Sequence, residues 1–331
     1  MASRRIRVIF FGLGSIGIGI ARVLAARPEY EIVGALDLDP SKVGRDLNEA
    51  LGLKEASGVQ VSASVARVLA KPAEVVVHAT GSYLESVKAQ LSTILRAGHN
   101  IVSTCEELAD PWAQNGKTAD ALDRLAKKHQ VSVVGTGINP GFAMDTLPLT
   151  LTAACQEVRR VRVRRVVDAS NRRMQLQKKI GTGLTRVTFA EAAARREIRH
   201  VGLTESASLI ARGLGWKLDK IEEEIAPVLA TRRVVTDYFT VEPNFVTGVR
   251  QLAHGIQGGQ ERITLELQMS VDAGSSSDEV WIEGRPDLHS IVTGIHGDLS
   301  TAAVVANTAR RIVDAPSGLL TMVDLPLVSG R

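Results

Sequence analysis

Cysteine, aromatic residues and an excess of either charge are all scarce in this sequence. Cys105 and Cys155 are the only cysteines in 331 residues, too few for a disulfide framework in a chain of this length. No C-x-x-C pairing is present, and no metal centre is expected. Aromatics make up 4% of the chain, which argues against a surface that stacks on bases. Forty Lys and Arg face 36 Asp and Glu, a formal net charge of +4, so no polyanionic partner and no nucleic acid is expected. No apolar run reaches the length of a membrane-spanning helix, and no membrane association is expected. The basic segment Met1–Arg7 leads into an apolar run at 6–11, but that run breaks into glycines without a small-residue cleavage site. A secretory leader is therefore not read, and the expected compartment is the cytoplasm.

What is present is an ordinary globular balance, 44% hydrophobic and 23% charged, long enough for about two domains. Up to residue 137 the chain alternates β-branched apolar runs with helical spacing. Strands are predicted at 6–11, 31–37, 59–62, 74–79, 100–104 and 131–135. Helices are predicted at 15–26, 41–51, 64–70, 82–97 and 117–129. Near-continuous Val/Ile strands alternating with helices imply a parallel sheet covered on both faces. The pattern then changes. A helix is predicted at 145–155 and a strand at 157–168, where Val and Arg alternate. Helices are predicted at 188–198, 204–214 and 219–225, followed by strands at 228–242, 245–256, 261–271 and 279–282. Strands without intervening helices suggest a mixed or antiparallel sheet. Residues 298–313 read as a helix capped by Asp298 or Ser300. In the 157–168 strand, Arg160, Arg162 and Arg164 are expected to form a solvated or ion-paired face.

The glycines carry the first functional signal. Gly12-Leu13-Gly14-Ser15-Ile16-Gly17 fits G-x-G-x-x-G and stands between a predicted strand and helix. In that context Gly12 makes the tight turn, Gly14 admits a pyrophosphate, and Gly17 lets the helix pack on the strand. The anion is expected on the N–H groups at the helix start, around Ser15 and Ile16. Asp37 ends the second strand 20 residues after Gly17, where an acid binds the ribose hydroxyls of NAD. The expected fold is α/β: a Rossmann doubly wound parallel sheet plus a second α/β domain with a mixed or antiparallel sheet. NAD is favoured because Asp37 repels a 2′-phosphate; Lys42 and Arg45 nearby leave NADP possible.

The loops after the fourth to sixth strands face the nicotinamide end of such a sheet. Thr80 and Gly81 follow the fourth strand and are candidate cofactor contacts. Thr104-Cys105-Glu106-Glu107 follows the fifth. Neighbouring side chains point apart, so one of Glu106 and Glu107 is expected to act as general acid or base, and the other to cap a helix or face solvent. Gly135–Phe142 (GTGINPGF) follows the sixth, with glycines permitting close backbone approach and Asn139 offering an amide.

The runs NIVSTCEELADPW (100–112), GTGINPGFAMDTLPLTLT (135–152), KIGTGLT (179–185), HVGLTES (200–206) and GIHGDLSTAAVVAN (294–307) resemble the 2,4-diaminopentanoate dehydrogenases and native amine dehydrogenases. That family is similar in fold to dihydrodipicolinate reductase. The resemblance implies NAD(P)-dependent oxidative deamination of an amine, reversible as reductive amination of a small ketone or aldehyde with ammonia, by a homodimer. It places the catalytic glutamate in the TCEE motif, with Glu106 first and Glu107 as its rival. It implies a cofactor site of Gly12, Gly14, Ser15, Ile16, Gly17, Asp37, Thr80, Gly81, Cys105 and Asn139. Asn139, Pro140, Gly141 and Phe142 are then expected to line the substrate pocket. Arg172 or Arg173 would meet a substrate carboxylate; His200 is a pocket candidate, with His254 and His296 behind it. The implied organisation is a dinucleotide-binding domain over 1–145, a substrate and dimerisation domain over 146–297, and a C-terminal helix and tail over 298–331 that returns to the first domain.

Two other readings compete. Asp314-Ala315-Pro316-Ser317-Gly318 repeats a string of dihydrodipicolinate reductases, which act on a cyclic imine. The His-His pair and lysine that precede it in those enzymes are missing here, so the string reads as a helix stop. A regulatory protein that holds NAD without turnover is the third reading, and no DNA-recognition motif supports it.

Overall fold

The computed structural model describes residues 5–330. Residues 1–4 of the basic N-terminal segment, and Arg331, lie outside that range. The chain divides into two compact units, residues 1–142 with 296–331, and residues 143–295.

The first unit is built on a seven-stranded parallel sheet. Its order across the sheet is Gly318–Leu320, Ser132–Gly135, Asn100–Ser103, Val75–His78, Ile6–Phe11, Tyr30–Leu36, Val61–Ser62. The chain starts in the middle, winds outward on one side, then crosses back and winds outward on the other. The reversal falls beside Ile6–Phe11, which makes the carboxyl end of that strand the crevice of a doubly wound fold. The strands are buried Val and Ile because helices cover both faces: Val75, Val76, Val77, Ile101, Val102, Val133 and Val134 are all fully enclosed. Helices Ser15–Ala25, Leu84–Arg96 and Gly116–Lys128 alternate with the strands. Helix Gly297–Arg311 joins this unit and packs beside Ser15–Ala25. Tyr30 Oη donates to the Ala306 carbonyl at 2.8 Å, and Arg27 to Asn307 Oδ1 at 2.7 Å.

The second unit holds a six-stranded mixed sheet. Its order is Leu288–Thr293, Ser277–Arg285, Glu157–Asp168, Gln260–Ser270, Val246–Gln257, Lys220–Leu229. Glu157–Asp168 and Gln260–Ser270 run parallel and the other neighbours antiparallel. Val161, Val163, Leu265, Leu267, Val280 and Ile282 form one core with Leu203, Ala207 and Ile210 of helix Leu203–Gly213. The basic strand is neutralised within the sheet. Arg160 meets Glu261 at 2.5 Å, Arg162 and Arg164 approach Glu266, and Arg162 also lies over the Trp281 ring at 4.7 Å. Arg165 points inward and is paired with buried Asp278.

Several predicted elements differ. The helix expected at 41–51 is reduced to Leu47–Ala50, because Pro40 and Gly44 (φ +88°) break the chain before it. Asp46 caps that turn and gathers the N–H groups of Asn48, Ser57 and Gly58. The helix expected at 219–225 is the edge strand Lys220–Leu229. Its three glutamates favour a helix by propensity, but an edge strand accepts Pro227 and the exposure alternates with period two. The strand expected over 228–242 shrinks to Val234–Val235 and Thr240–Val241, a separate two-stranded ribbon. Helix Gly297–Arg311 is capped by His296, whose Nδ1 accepts the Leu299 N–H, rather than by Asp298 or Ser300. The stop at Pro316 is followed by strand Gly318–Leu320, the seventh of the parallel sheet. That strand, Leu288–Thr293 and helix Met174–Lys179 carry no clear sequence signal.

Candidate active site

The glycine turn joins Ile6–Phe11 to Ser15–Ala25, and its three glycines have three different surroundings. Gly12 has φ +100°, and a Cβ there would stand 2.6 Å from the Ala79 carbonyl oxygen. A Cβ on Gly17 would stand 2.2 Å from the Gly12 carbonyl oxygen. A Cβ on Gly14 would meet nothing within 4 Å. Two glycines are thus required by the fold, while the third faces open space. The helix begins at Gly14 without a side-chain cap and without an acid in its first turn. Its first N–H groups have no helical acceptor, which suits an anion. Asp37 stands beside the turn: its Oδ2 accepts the Leu13 N–H at 2.7 Å and its Oδ1 the Asp39 N–H at 2.8 Å. Lys42 Nζ lies 3.7 Å from Asp37 and 3.1 Å from Asp39. Hydrogen bonds from Ser41 and the Lys42 charge hold the Asp39 carboxyl down at about 2. These features fit the pyrophosphate and ribose of a dinucleotide.

The loops after the fourth and fifth strands are laced together. Thr104 N–H donates to the His78 carbonyl at 3.0 Å and Glu107 N–H to the Ser82 carbonyl at 3.2 Å. The Cys105 thiol also donates to Ser82 O, at 3.2 Å. Burial and the adjacent Glu106 charge push that thiol well above its ordinary range, so it is an inert packing group. Glu107 turns back to accept the Leu84 N–H at 2.7 Å and the Asn115 amide at 3.2 Å, which satisfies the first turn of Leu84–Arg96. Glu106, half-buried, opens the short 3-10 turn Glu106–Leu108. Glu107 thus has a structural occupation at the start of Leu84–Arg96.

The segment after the sixth strand is enclosed and polar. The Asn139–Pro140 bond is cis, and Gly141 has φ +122°. A Cβ on Gly141 would strike Gly137 N at 2.4 Å and Thr136 Oγ1 at 2.7 Å. The Ile138 N–H donates to Thr301 Oγ1 at 3.3 Å. Thr136 Oγ1 and both side-chain atoms of Asn139 are buried with no hydrogen-bond partner. A buried amide left unpaired on both its donor and acceptor costs roughly 1–3 kcal/mol per group.

Gly12, Gly14, Ser15, Ile16, Gly17, Asp37, Thr80, Gly81, Cys105, Glu106, Glu107 and Asn139–Phe142 all belong to the first unit, at the carboxyl ends of its strands. Arg172 and His200 belong to the second. Arg172 lies just after Glu157–Asp168, and its carbonyl accepts from buried Gln177 at 2.9 Å. The His200 backbone is clamped by Gln251, whose side chain meets its N–H at 2.8 Å and its carbonyl at 3.0 Å. Burial, with Lys179, Arg165 and Arg199 nearby, lowers the His200 ring to about 3, so it is neutral at physiological pH. Two further pocket candidates have structural partners instead: His254 pairs with Glu261 on the charged face of the sheet, and His296 caps a helix. Sequence reading missed His78, Gln90, Ser103 and Thr136; polar residues at the ends of apolar strands give no periodic signal. Among the described residues no group of three or more His, Cys, Asp or Glu is gathered as a metal site. No helix there is long and apolar enough to cross a membrane.

A doubly wound sheet with an open glycine turn and an acid at its switch point defines an oxidoreductase of the dinucleotide-fold class. A family model described as 2,4-diaminopentanoate dehydrogenase C-terminal domain matches residues 142–330, and one described as dihydrodipicolinate reductase N-terminus matches residues 6–108. The 2,4-diaminopentanoate dehydrogenase of Acetoanaerobium sticklandii is 30% identical, over 98% of this chain and 94% of that protein. The amine dehydrogenase of Streptomyces virginiae is 25% identical, over 97% of this chain and 96% of that one. A solved amine dehydrogenase from Mycobacterium smegmatis superposes with a TM-score of 0.87 at 24% identity, covering 99% and 98% of the two chains. The chain belongs to the 2,4-diaminopentanoate dehydrogenase family, as the sequence motifs implied.

Proposed function

We propose that this protein is an NAD(P)-dependent amine dehydrogenase, interconverting an amine with a small ketone or aldehyde and ammonia. The observation that carries this reading is the pairing, in one unit, of a glycine turn open only at Gly14 with Glu106 on the loop two strands along in the same row of strand ends. Curated relatives bearing the names 2,4-diaminopentanoate dehydrogenase and amine dehydrogenase over nearly the whole chain support it.

When bound, the nicotinamide supplies hydride chemistry. The chain's own residues do the rest. Gly14, Ser15 and Ile16 hold the pyrophosphate on backbone N–H groups. Asp37 binds the adenosine ribose, and its charge favours NAD; Lys42 close by keeps NADP within reach. Thr80 and Gly81 line the nucleotide, with Cys105 packed behind them. Asn139 would be the polar residue nearest the nicotinamide end. Glu106, as carboxylate, positions the amine, takes its proton and stabilises the iminium cation of the substrate. Water then adds to the iminium carbon, Glu106 moves the proton, and the C–N bond breaks to release ammonia and the carbonyl compound. Glu107 is committed to the helix start and serves as scaffold. Pro140, Gly141 and Phe142 line the substrate side in the first unit; Arg172 and His200, in the second unit, remain the candidates that the family resemblance named. Two free cysteines accord with the reducing cytoplasm, and the family resemblance supports a homodimer.

Glu106→Gln tests the chemical assignment. Turnover is expected to fall by at least about a thousandfold, at the upper part of the range for a general acid–base group, with NADH affinity retained. Turnover near that of the parent, or the same loss from Glu107→Gln with Glu106→Gln active, would transfer or remove the role.

A further inference from the structure

A polar chain, buried at His78 and Ser103 and open to solvent at Thr80, runs beneath the two laced loops, and His78, Ser103 and Gln90 have not yet been given work. His78, the last residue of the fourth strand, is fully buried. Its Nδ1 lies 2.8 Å from Ser103 Oγ, at the end of the neighbouring strand. Ser103 Oγ also accepts the Cys105 N–H at 3.1 Å, one residue before Glu106. On the other side His78 Nε2 lies 2.9 Å from Gln90 Oε1 and 2.8 Å from Thr80 Oγ1, and Thr80 donates to Gln90 Oε1 at 2.6 Å. The Thr80 methyl in turn covers the glycine turn: a Cβ on Gly12 would stand 2.8 Å from it.

The partners fix the proton positions. Gln90 Oε1 can only accept, so the Nε2 side carries the ring hydrogen and His78 Nδ1 accepts from the Ser103 hydroxyl. Burial holds His78 at about 4, so the ring is neutral at physiological pH and offers one donor and one acceptor. Such a ring can tie two loops at once with opposite polarity. Replacing it leaves the buried Ser103 hydroxyl without its acceptor on one side and loosens the solvent-facing Thr80–Gln90 pair on the other.

We infer that His78 is a positioning residue with two separable arms: the Nδ1 arm, through Ser103 and Cys105 N–H, sets the place of Glu106, and the Nε2 arm, through Thr80 and Gln90, holds the wall of the glycine turn. The first arm rests on the reading of Glu106 as the acid–base group; the second does not. The proposal is specific to geometry. An angstrom of drift in a catalytic carboxylate costs up to a hundredfold in rate, whereas drift in Thr80 is felt in cofactor affinity.

The arms are separated in the full-length enzyme by steady-state amination kinetics and NADH fluorescence titration. Ser103→Ala cuts the first arm, and kcat is expected to fall about tenfold to a hundredfold with the NADH Kd within about twofold of the parent. His78→Asn places a polar atom near the Nδ1 position and lacks the reach to Gln90 and Thr80. It is expected to keep kcat within about threefold and to weaken NADH about tenfold, as lost polar contacts of this size do. His78→Gln, which reaches the far side instead, should show the reverse. A residue that only supports the fold would lower the melting temperature without this split. In a Glu106→Asp background, Ser103→Ala is expected to add less than about a twofold loss, since both act through one group. Parental kcat in Ser103→Ala with Glu106→Gln inactive would overturn the first arm and leave Glu106 standing. Near-parental turnover in Glu106→Gln would overturn Glu106 and the first arm together. Unchanged NADH affinity in His78→Asn would overturn the second.

Discussion

Gly14→Ala separates cofactor binding from folding more cleanly than any other single change. Gly14 has φ −66° and ψ −177°, a conformation alanine adopts without strain. An added Cβ meets no protein atom within 4 Å. Replacing glycine where the backbone already suits alanine stabilises a protein by about 0.4–1 kcal/mol through the unfolded state. The apo melting temperature is thus expected to hold or rise by a few degrees. The methyl group occupies the space through which a pyrophosphate reaches the helix N–H groups. Losing two hydrogen bonds to a charged group, at about 1.5–3 kcal/mol each, weakens NADH by at least about a hundredfold. Gly17→Ala is the control. Its Cβ would stand 2.2 Å from a carbonyl oxygen, and the first helix has to move off the sheet. Overpacking of that kind costs about 1–3 kcal/mol or more, and melting should fall. Scanning fluorimetry with and without NADH, plus fluorescence titration, reads both variants. Tight NADH binding by Gly14→Ala would refute the assignment of the glycine turn.

Asp37→Asn removes the charge that disfavours a 2′-phosphate and leaves Lys42, with Asp39 as its one remaining carboxylate partner, beside it. The ratio of NADPH to NADH affinity is expected to rise at least about tenfold, since like-charge juxtaposition costs several kcal/mol; an unchanged ratio in paired titrations would remove Asp37 from that role. His78 and His200 are held below their ordinary 6.5, at about 4 and about 3. A base depressed in the folded state contributes its stability fully above about 6.5 and loses it as pH falls toward the folded value, by about 1.4 kcal/mol per pH unit. Melting is therefore expected to drop between pH 7 and pH 5, and a flat profile there would contradict the burial of both rings. Arg165→Met strands the buried Asp278 carboxylate and should cost about 3–5 kcal/mol, with much of it regained on adding Asp278→Leu. Equal stability of the single and double variants in urea unfolding would show that the pair is not coupled.

Much of this was legible in the chain. The first sheet announced itself because parallel strands buried on both faces must be apolar throughout. The glycine turn did so because Gly12 and Gly17 have no room for a side chain. That one of two adjacent acids caps a helix was expected from their adjacency, and Glu107 accepts the Leu84 N–H at the start of Leu84–Arg96. The failures have physical causes. Lys220–Leu229 looked helical because three glutamates outweigh a weak alternation, and edge position is not written in local sequence. Gly318–Leu320 is three residues long and exists because Ser132–Gly135 offers it an unpaired edge. The His78–Ser103–Thr80–Gln90 chain joins residues up to 25 positions apart, and only the parallel pairing of two strands brings them together.

The dependence of turnover on ammonia tests the proposed chemistry most directly. NADH oxidation is followed with a panel of small ketones, aldehydes and 2-amino-4-oxopentanoate, each with and without ammonium at mildly alkaline pH. Oxidation is expected only when ammonium and a carbonyl compound are both present, and is lost in Glu106→Gln. Oxidation of NADH by a cyclic imine without ammonium, with no ammonium-dependent turnover on any carbonyl compound, would contradict that chemistry.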